Sequence, residues 1–64
     1  MKENEDRWLI EEEVKELTRM ALPTLRKHRS LGKGIAYYKI SKSVRYKLSD
    51  VVKYMETHRI ETHK

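Results

Sequence analysis

Two stretches of the chain carry side chains suited to gripping a polyanion. Thr24-Leu-Arg-Lys-His-Arg29 offers two guanidiniums, an ammonium and a hydroxyl, and Lys39-Ile-Ser-Lys-Ser-Val-Arg-Tyr46 alternates apolar and basic residues around a polar centre. An arginine presents a planar fork that bonds both acceptors on a guanine edge, whereas lysine acts as a point charge toward phosphate. Arg26 is therefore the first candidate for reading a base. Lys27 suits a phosphate, and Thr24 a phosphate or a base methyl group. Arg29, Lys33 and Lys39 are bases of the same region for which a solvated side chain is an equal reading; the stem of Arg29 could instead pack on a core.

Charge along the chain supports that chemistry. The formal net charge is +5, yet from Leu17 to Ser49 there are nine bases and no acid. Residues 1–16 hold seven acids against three bases, and residues 50–64 are balanced. A charge run is often only a solvated face, but mixed signs would serve solubility as well. An acid-free central half concentrates positive potential where nucleic acid could bind.

Other chemistries are poorly supplied. Cysteine is absent, which removes disulfides and thiolate zinc sites and fits a cytoplasmic protein. His28, His58 and His63 lack metal-ligand spacing, no nucleophile, base and orienting group converge, and no phosphate-cradling glycine loop follows a strand. Neither an enzyme nor a bound cofactor is expected. No apolar run approaches a membrane span, and Met1 to Arg7 is too acidic and polar for a signal peptide. A chain of 64 residues makes one domain with a thin core, ordered over about residues 7–58.

The elements that must position the basic residues follow from periodicity. Trp8, Leu9, Val14, Leu17 and Met20 fit one face of a helix over about Glu11 to Arg19, led in by the apolar pair. Ile10 falls at its N-cap, where a hydroxyl would hold the start better. A second helix runs from about Leu22 to Ser30, with Pro23 tolerated in the first turn. Leu22, Leu25 and His28 face inward; Thr24, Arg26, Lys27 and Ser30 face out. Gly32-Lys-Gly34 breaks the helix, and the period then becomes two.

With Ser41-Lys-Ser43 as a turn, Tyr38, Ile40, Val44, Tyr46 and Leu48 share the inner face of a hairpin. Lys39, Arg45 and Lys47 share the outer face, where charge also protects a short edge strand from aggregation. Of the tyrosines, only Tyr37 is then free to stack on single-stranded bases. Ser49 caps a third helix that ends near His58, with Asp50 in its first turn and Val51, Val52, Tyr54 and Met55 as apolar surface. Ile60 to Lys64 reads as a loosely ordered tail.

The runs Thr24-Leu-Arg-Lys-His-Arg29, Gly32-Lys-Gly34, Tyr38-Lys-Ile40, Val44-Arg-Tyr46 and Leu48-Ser-Asp-Val51 resemble the excisionase and AlpA-type phage regulators. These are small winged helix-turn-helix proteins related to the DNA-binding domain of MerR regulators. The resemblance covers about Trp8 to Met55. It implies an α+β fold of helix, helix, two-stranded β-hairpin wing and helix. The second helix would enter the major groove of double-stranded DNA, and the wing would lie on flanking backbone or minor groove.

Carried over by position, Pro23, Thr24, Arg26 and Lys27, with Arg29 at the boundary, belong to the recognition helix; Lys42 and Arg45 belong to the wing. The sequence departs from the family at four places: Arg19 and Ser41 stand where glycine is common, Ala21 where Ser or Thr often caps, and His28 where an aromatic is common. The implied role is a transcription regulator or an excisionase of a phage or other mobile element. An excisionase would bend DNA and recruit a recombinase. One recognition helix reads few base pairs, so a monomer in solution that binds DNA cooperatively is expected. The competing reading is a protein-interaction module that docks a partner through the third helix.

Overall fold

A computed structural model describes residues 7–61; the acidic stretch ending at Asp6 and the tail from Thr62 to Lys64, with His63, lie outside the described residues. The order is β1 (Trp8–Leu9), α1 (Glu11–Thr18), α2 (Leu22–Leu31), β2 (Tyr38–Ile40), β3 (Ser43–Lys47) and α3 (Leu48–Thr57). Three helices and a three-stranded antiparallel sheet make a small α+β fold.

The start of α1 has no hydroxyl at Ile10, but the Glu13 carboxylate accepts the Ile10 N–H at 2.9 Å. This is the backbone half of a capping box, and the three first-turn glutamates suit the helix dipole. The helix stops at Arg19, whose φ of 64° is left-handed and whose N–H donates to the Lys15 carbonyl at 2.7 Å. Thr18 stiffens the turn into α2: its hydroxyl donates to the Val14 carbonyl at 2.8 Å and accepts the Met20 N–H at 3.1 Å.

Pro23 sits in the first turn of α2, where a missing N–H costs no internal bond. At the other end Gly32, with φ 70°, donates to the Arg29 carbonyl, and Lys33 donates to the His28 carbonyl at 2.9 Å. That pair of bonds is a Schellman ending, which needs the left-handed residue at Gly32. Gly34 is constrained by contact as well as by φ: a Cβ there would lie 2.7 Å from the Cβ of His28.

In the sheet β3 is central, pairing Leu9 with Tyr46 on one side and Lys39 with Val44 on the other. Ile40 pairs with Ser43, so the hairpin turn contains only Ser41 and Lys42. This corrects the three-residue turn expected from sequence. Cross-strand partners share a face, and a one-residue change in turn length turns a whole strand over. Tyr38 and Ile40 therefore lie outward with Arg45 and Lys47, 40% and 59% exposed, while Lys39 shares the face of Val44 and Tyr46.

Two further expectations are corrected. Trp8 and Leu17 do not share the inner face with Leu9 and Val14: they are 48% and 46% exposed. Trp8 and Leu9 form a strand, so one of the pair must point out, and α1 turns its Glu11, Val14, Thr18 stripe inward instead. Ser49 is not a cap either. α3 starts two residues earlier, at Leu48 with Lys47 as its cap, because β3 runs straight into it, and the Leu48 N–H is already satisfied by the Arg7 carbonyl at 2.8 Å.

The core is as thin as its length requires. Leu9, Val14, Leu25, Tyr46 and Val51 contribute one buried side chain each from β1, α1, α2, β3 and α3, and Ile35 adds one from the loop before β2. No side chain of β2 is buried.

Candidate nucleic-acid interface

Pro23, Thr24, Lys27 and Ser30 are exposed on α2, as the helical period requires when Leu25 is buried. Arg26 lies on the flank of that surface and is not free. Its Nη2 donates to Glu11 Oε2 at 2.6 Å and its Nε to Oε1 at 3.3 Å, a fork on a carboxylate. The guanidinium holds the Glu11 carboxyl below its usual range, and Glu11 in turn raises the arginine.

Arg29 is turned inward. Its Nη1 donates to the hydroxyl of buried Tyr46 at 2.7 Å and reaches Glu11 Oε1 at 3.4 Å, while the guanidinium lies 5.8 Å from the centre of the Tyr37 ring. Only 17% of the Arg29 side chain is exposed. A buried tyrosine hydroxyl needs a partner, and Arg29 supplies it. The packed-stem alternative for Arg29 is thus realised together with a polar network running from Arg26 through Glu11 and Arg29 to Tyr46.

The hairpin brings its two basic candidates to the same side. A groove of about 340 Å³ is lined by Glu11, Glu12, Arg29, Lys42 and Arg45 among others. Lys42 is exposed at the turn, and Arg45 folds along its own strand to donate to the Val44 carbonyl at 2.9 Å. Thus Arg29, Lys42 and Arg45 line one concavity and Arg26 is tied to it through Glu11, whereas Pro23, Thr24 and Lys27 stand on the exposed surface of the helix. Tyr46 and Glu11 were not legible as parts of this region. The acid-free central half of the sequence does not remain acid-free in space, because α1 lays Glu11 and Glu12 against it.

No family model matches the chain, and no curated protein or solved structure shows a detectable similarity to it.

The outer sheet face holds a second basic and aromatic group. The rings of Trp8 and Tyr38 meet edge to face at 4.9 Å, and Lys47 Nζ lies 5.7 Å and 5.9 Å from their centres. Tyr38 is therefore as open to solvent as Tyr37, although only Tyr37 was expected to be free. On α3, Val51 is buried and Tyr54 is half-buried against the His58 ring at 4.1 Å. The apolar surface of that helix reduces to Val52 and Met55.

Among the described residues, no three His, Cys, Asp or Glu side chains form a metal-binding group, and no helix is long and apolar enough to cross a membrane.

Proposed function

We propose that the chain binds double-stranded DNA as a small winged helix-turn-helix protein of the excisionase and AlpA type. α2 acts as the recognition helix, with Pro23, Thr24, Arg26 and Lys27 toward the major groove, and the β2–β3 hairpin is the wing, with Lys42 and Arg45 on flanking backbone. The observation that carries this reading is that Arg29, Lys42 and Arg45 line one groove, and that Arg26, tied to Glu11 in its wall, stands on an exposed α2 surface whose own residues include no acid. A helix and a hairpin that present bases to one side suit a duplex, whose phosphates flank the groove a helix enters.

A second observation supports the family. Among the described residues, those other than glycine with positive φ are Arg19 and Ser41, at 64° and 57°, and these are the positions where such proteins commonly carry glycine. The backbone retains the shape that glycine would favour.

In this role the chain performs no chemistry of its own and needs no cofactor. It serves a phage or other mobile element either by occupying a promoter or by bending DNA beside a recombinase, acting as a monomer that assembles cooperatively on adjacent sites. Titration of a duplex at two salt concentrations tests the reading. Affinity falls steeply with salt as counterions are released, and the combined Arg26→Ala and Lys27→Ala variant loses much of that response. Absent or salt-independent binding overturns it in favour of docking through α3. A stable dimer in sedimentation without DNA overturns the monomer.

A further inference from the structure

We propose that Glu11 is a positioning residue for Arg26: by holding the Nε and Nη2 side of the guanidinium, it aims the remaining donors outward as a fork for a purine edge. The inference rests on the DNA-binding reading and names the residue that gives α2 its sequence preference.

A guanidinium has five N–H donors in one plane. Glu11 occupies Nε–H and one hydrogen of Nη2, at 3.3 Å and 2.6 Å. Both hydrogens of Nη1 and the second of Nη2 remain, and one hydrogen from each of these nitrogens forms a second edge suited to guanine O6 and N7. The side chain as a whole is 55% exposed, and its hydrogen bonds to other described residues all go to Glu11 through Nε and Nη2. Glu11 is itself fixed. Arg29 reaches its Oε1 at 3.4 Å and is anchored by the hydroxyl of Tyr46 at 2.7 Å. The exposed arginine is thus tied through Glu11 and Arg29 to a buried core residue, and its orientation is settled before any ligand arrives.

The sign of the effect follows from charge. Glu11 lines the groove that also holds Lys42 and Arg45, so its carboxylate repels any phosphate approaching them. It lowers affinity for every duplex equally. A carboxylate placed there weakens general binding and sharpens recognition of one base, which is what specificity requires.

The experiment uses the full chain, its Glu11→Gln and Arg26→Lys variants and the double variant, each checked by thermal melting and selected against a library of randomised duplexes. Wild type enriches a site with a marked guanine preference. Glu11→Gln weakens that preference on the order of tenfold, within what one bidentate arginine–guanine pair contributes, yet binds arbitrary duplexes several-fold more tightly. Arg26→Lys loses the same preference, and adding Glu11→Gln to it changes the preference no further. Should Glu11→Gln fail to fold, Glu11→Asp carries the test, since it keeps the carboxylate and withdraws it from the guanidinium: the guanine preference weakens while general affinity stays at the wild-type level, and an unchanged preference overturns the inference.

If Glu11→Gln keeps the preference, or weakens binding to all duplexes alike, Glu11 only staples α1 to α2 and the inference falls. If wild type shows no salt-dependent duplex binding, the functional reading fails first and takes this inference with it.

Discussion

Tyr46 and Tyr38 belong to adjoining strands of one hairpin, and each lies beside a base, yet they live in different physics. On the inner face Tyr46 is buried and its hydroxyl accepts from Arg29, which is shared with Glu11. On the outer face Tyr38 meets Trp8 edge to face, and Lys47 hovers over both rings without a carboxylate among its described neighbours. The inner group is directional: forks, carboxylate and hydroxyl each fix the angle of the next. The outer group is held by ring quadrupoles and contact area, which attract a cation without fixing where its hydrogens point. A base that must read an edge belongs to the first kind of site, whereas a base that only adds positive potential can belong to the second.

The contrast is easiest to break at the two tyrosines. Tyr46→Ala should cost about 3–5 kcal/mol, as large aromatic deletions in cores do, and leave little of so small a fold. Tyr38→Ala should cost about 1 kcal/mol, the scale of an edge-to-face pair. Urea titrations of both variants check this, and equal losses would erase the distinction between the faces.

Arg29→Ala comes next, at about 1–3 kcal/mol, because it orphans the buried Tyr46 hydroxyl. In a Tyr46→Phe background the same change should cost less, since the orphaned group is gone; additive losses in that double-mutant cycle would contradict the network.

The turn that decides which tyrosine faces inward offers a change of opposite sign. Ser41→Gly should raise stability by about 1 kcal/mol by relieving a left-handed serine, without altering which tyrosine is buried. Only the first of the two turn residues has positive φ, the usual pattern of a type II′ hairpin turn with glycine at that place. A fall in the melting temperature would sink this account of the turn.

On the outer face Lys47→Ala should cost about 0.5–1 kcal/mol, the scale of an exposed cation–π contact; a urea titration that shows no loss would mean that the ammonium adds nothing to the ring pair.

The inner face differs in its response to pH. The folded state holds the Glu11 carboxyl below its ordinary value of 4.5, chiefly through the hydrogen bond from Arg26. Its contribution is fully present above that value and is lost as pH falls through the lowered folded one. The acid limb of a stability profile should therefore be shallower in Glu11→Gln than in wild type. Identical limbs would mean that the inner ion pairs add nothing.

Much of the backbone was legible because it obeys local rules. The first helix, expected over about Glu11 to Arg19, ends at Thr18; the second runs one residue further than Ser30; the third ends at Thr57, beside the expected His58. What was missed is nonlocal. A two-residue strand such as Trp8–Leu9 is too short to show a period, and it is identified only by its pairing with Lys47 and Tyr46. The hairpin's faces depended on whether Ser43 belonged to the turn or to the strand, and polar serines at a turn do not decide between the two. Of the candidate contacts, Pro23, Thr24, Lys27 and Lys42 are exposed as read, whereas Arg26 and Arg29 had a carboxylate partner that no reading of neighbouring residues could supply.

The sequence by itself determined the bounds of α1 and α2 to within a residue, which residues of α2 face outward, and that the middle of the chain is rich in bases. Those properties follow from the period of the backbone and from composition. Only the tertiary structure decided that Glu11, fifteen positions from Arg26, takes hold of it, and that Tyr38 faces water while Tyr46 is buried. Ion-pair geometry and strand register both depend on how elements separated in the chain come together, and Coulomb attraction and side-chain packing act on that distance in space.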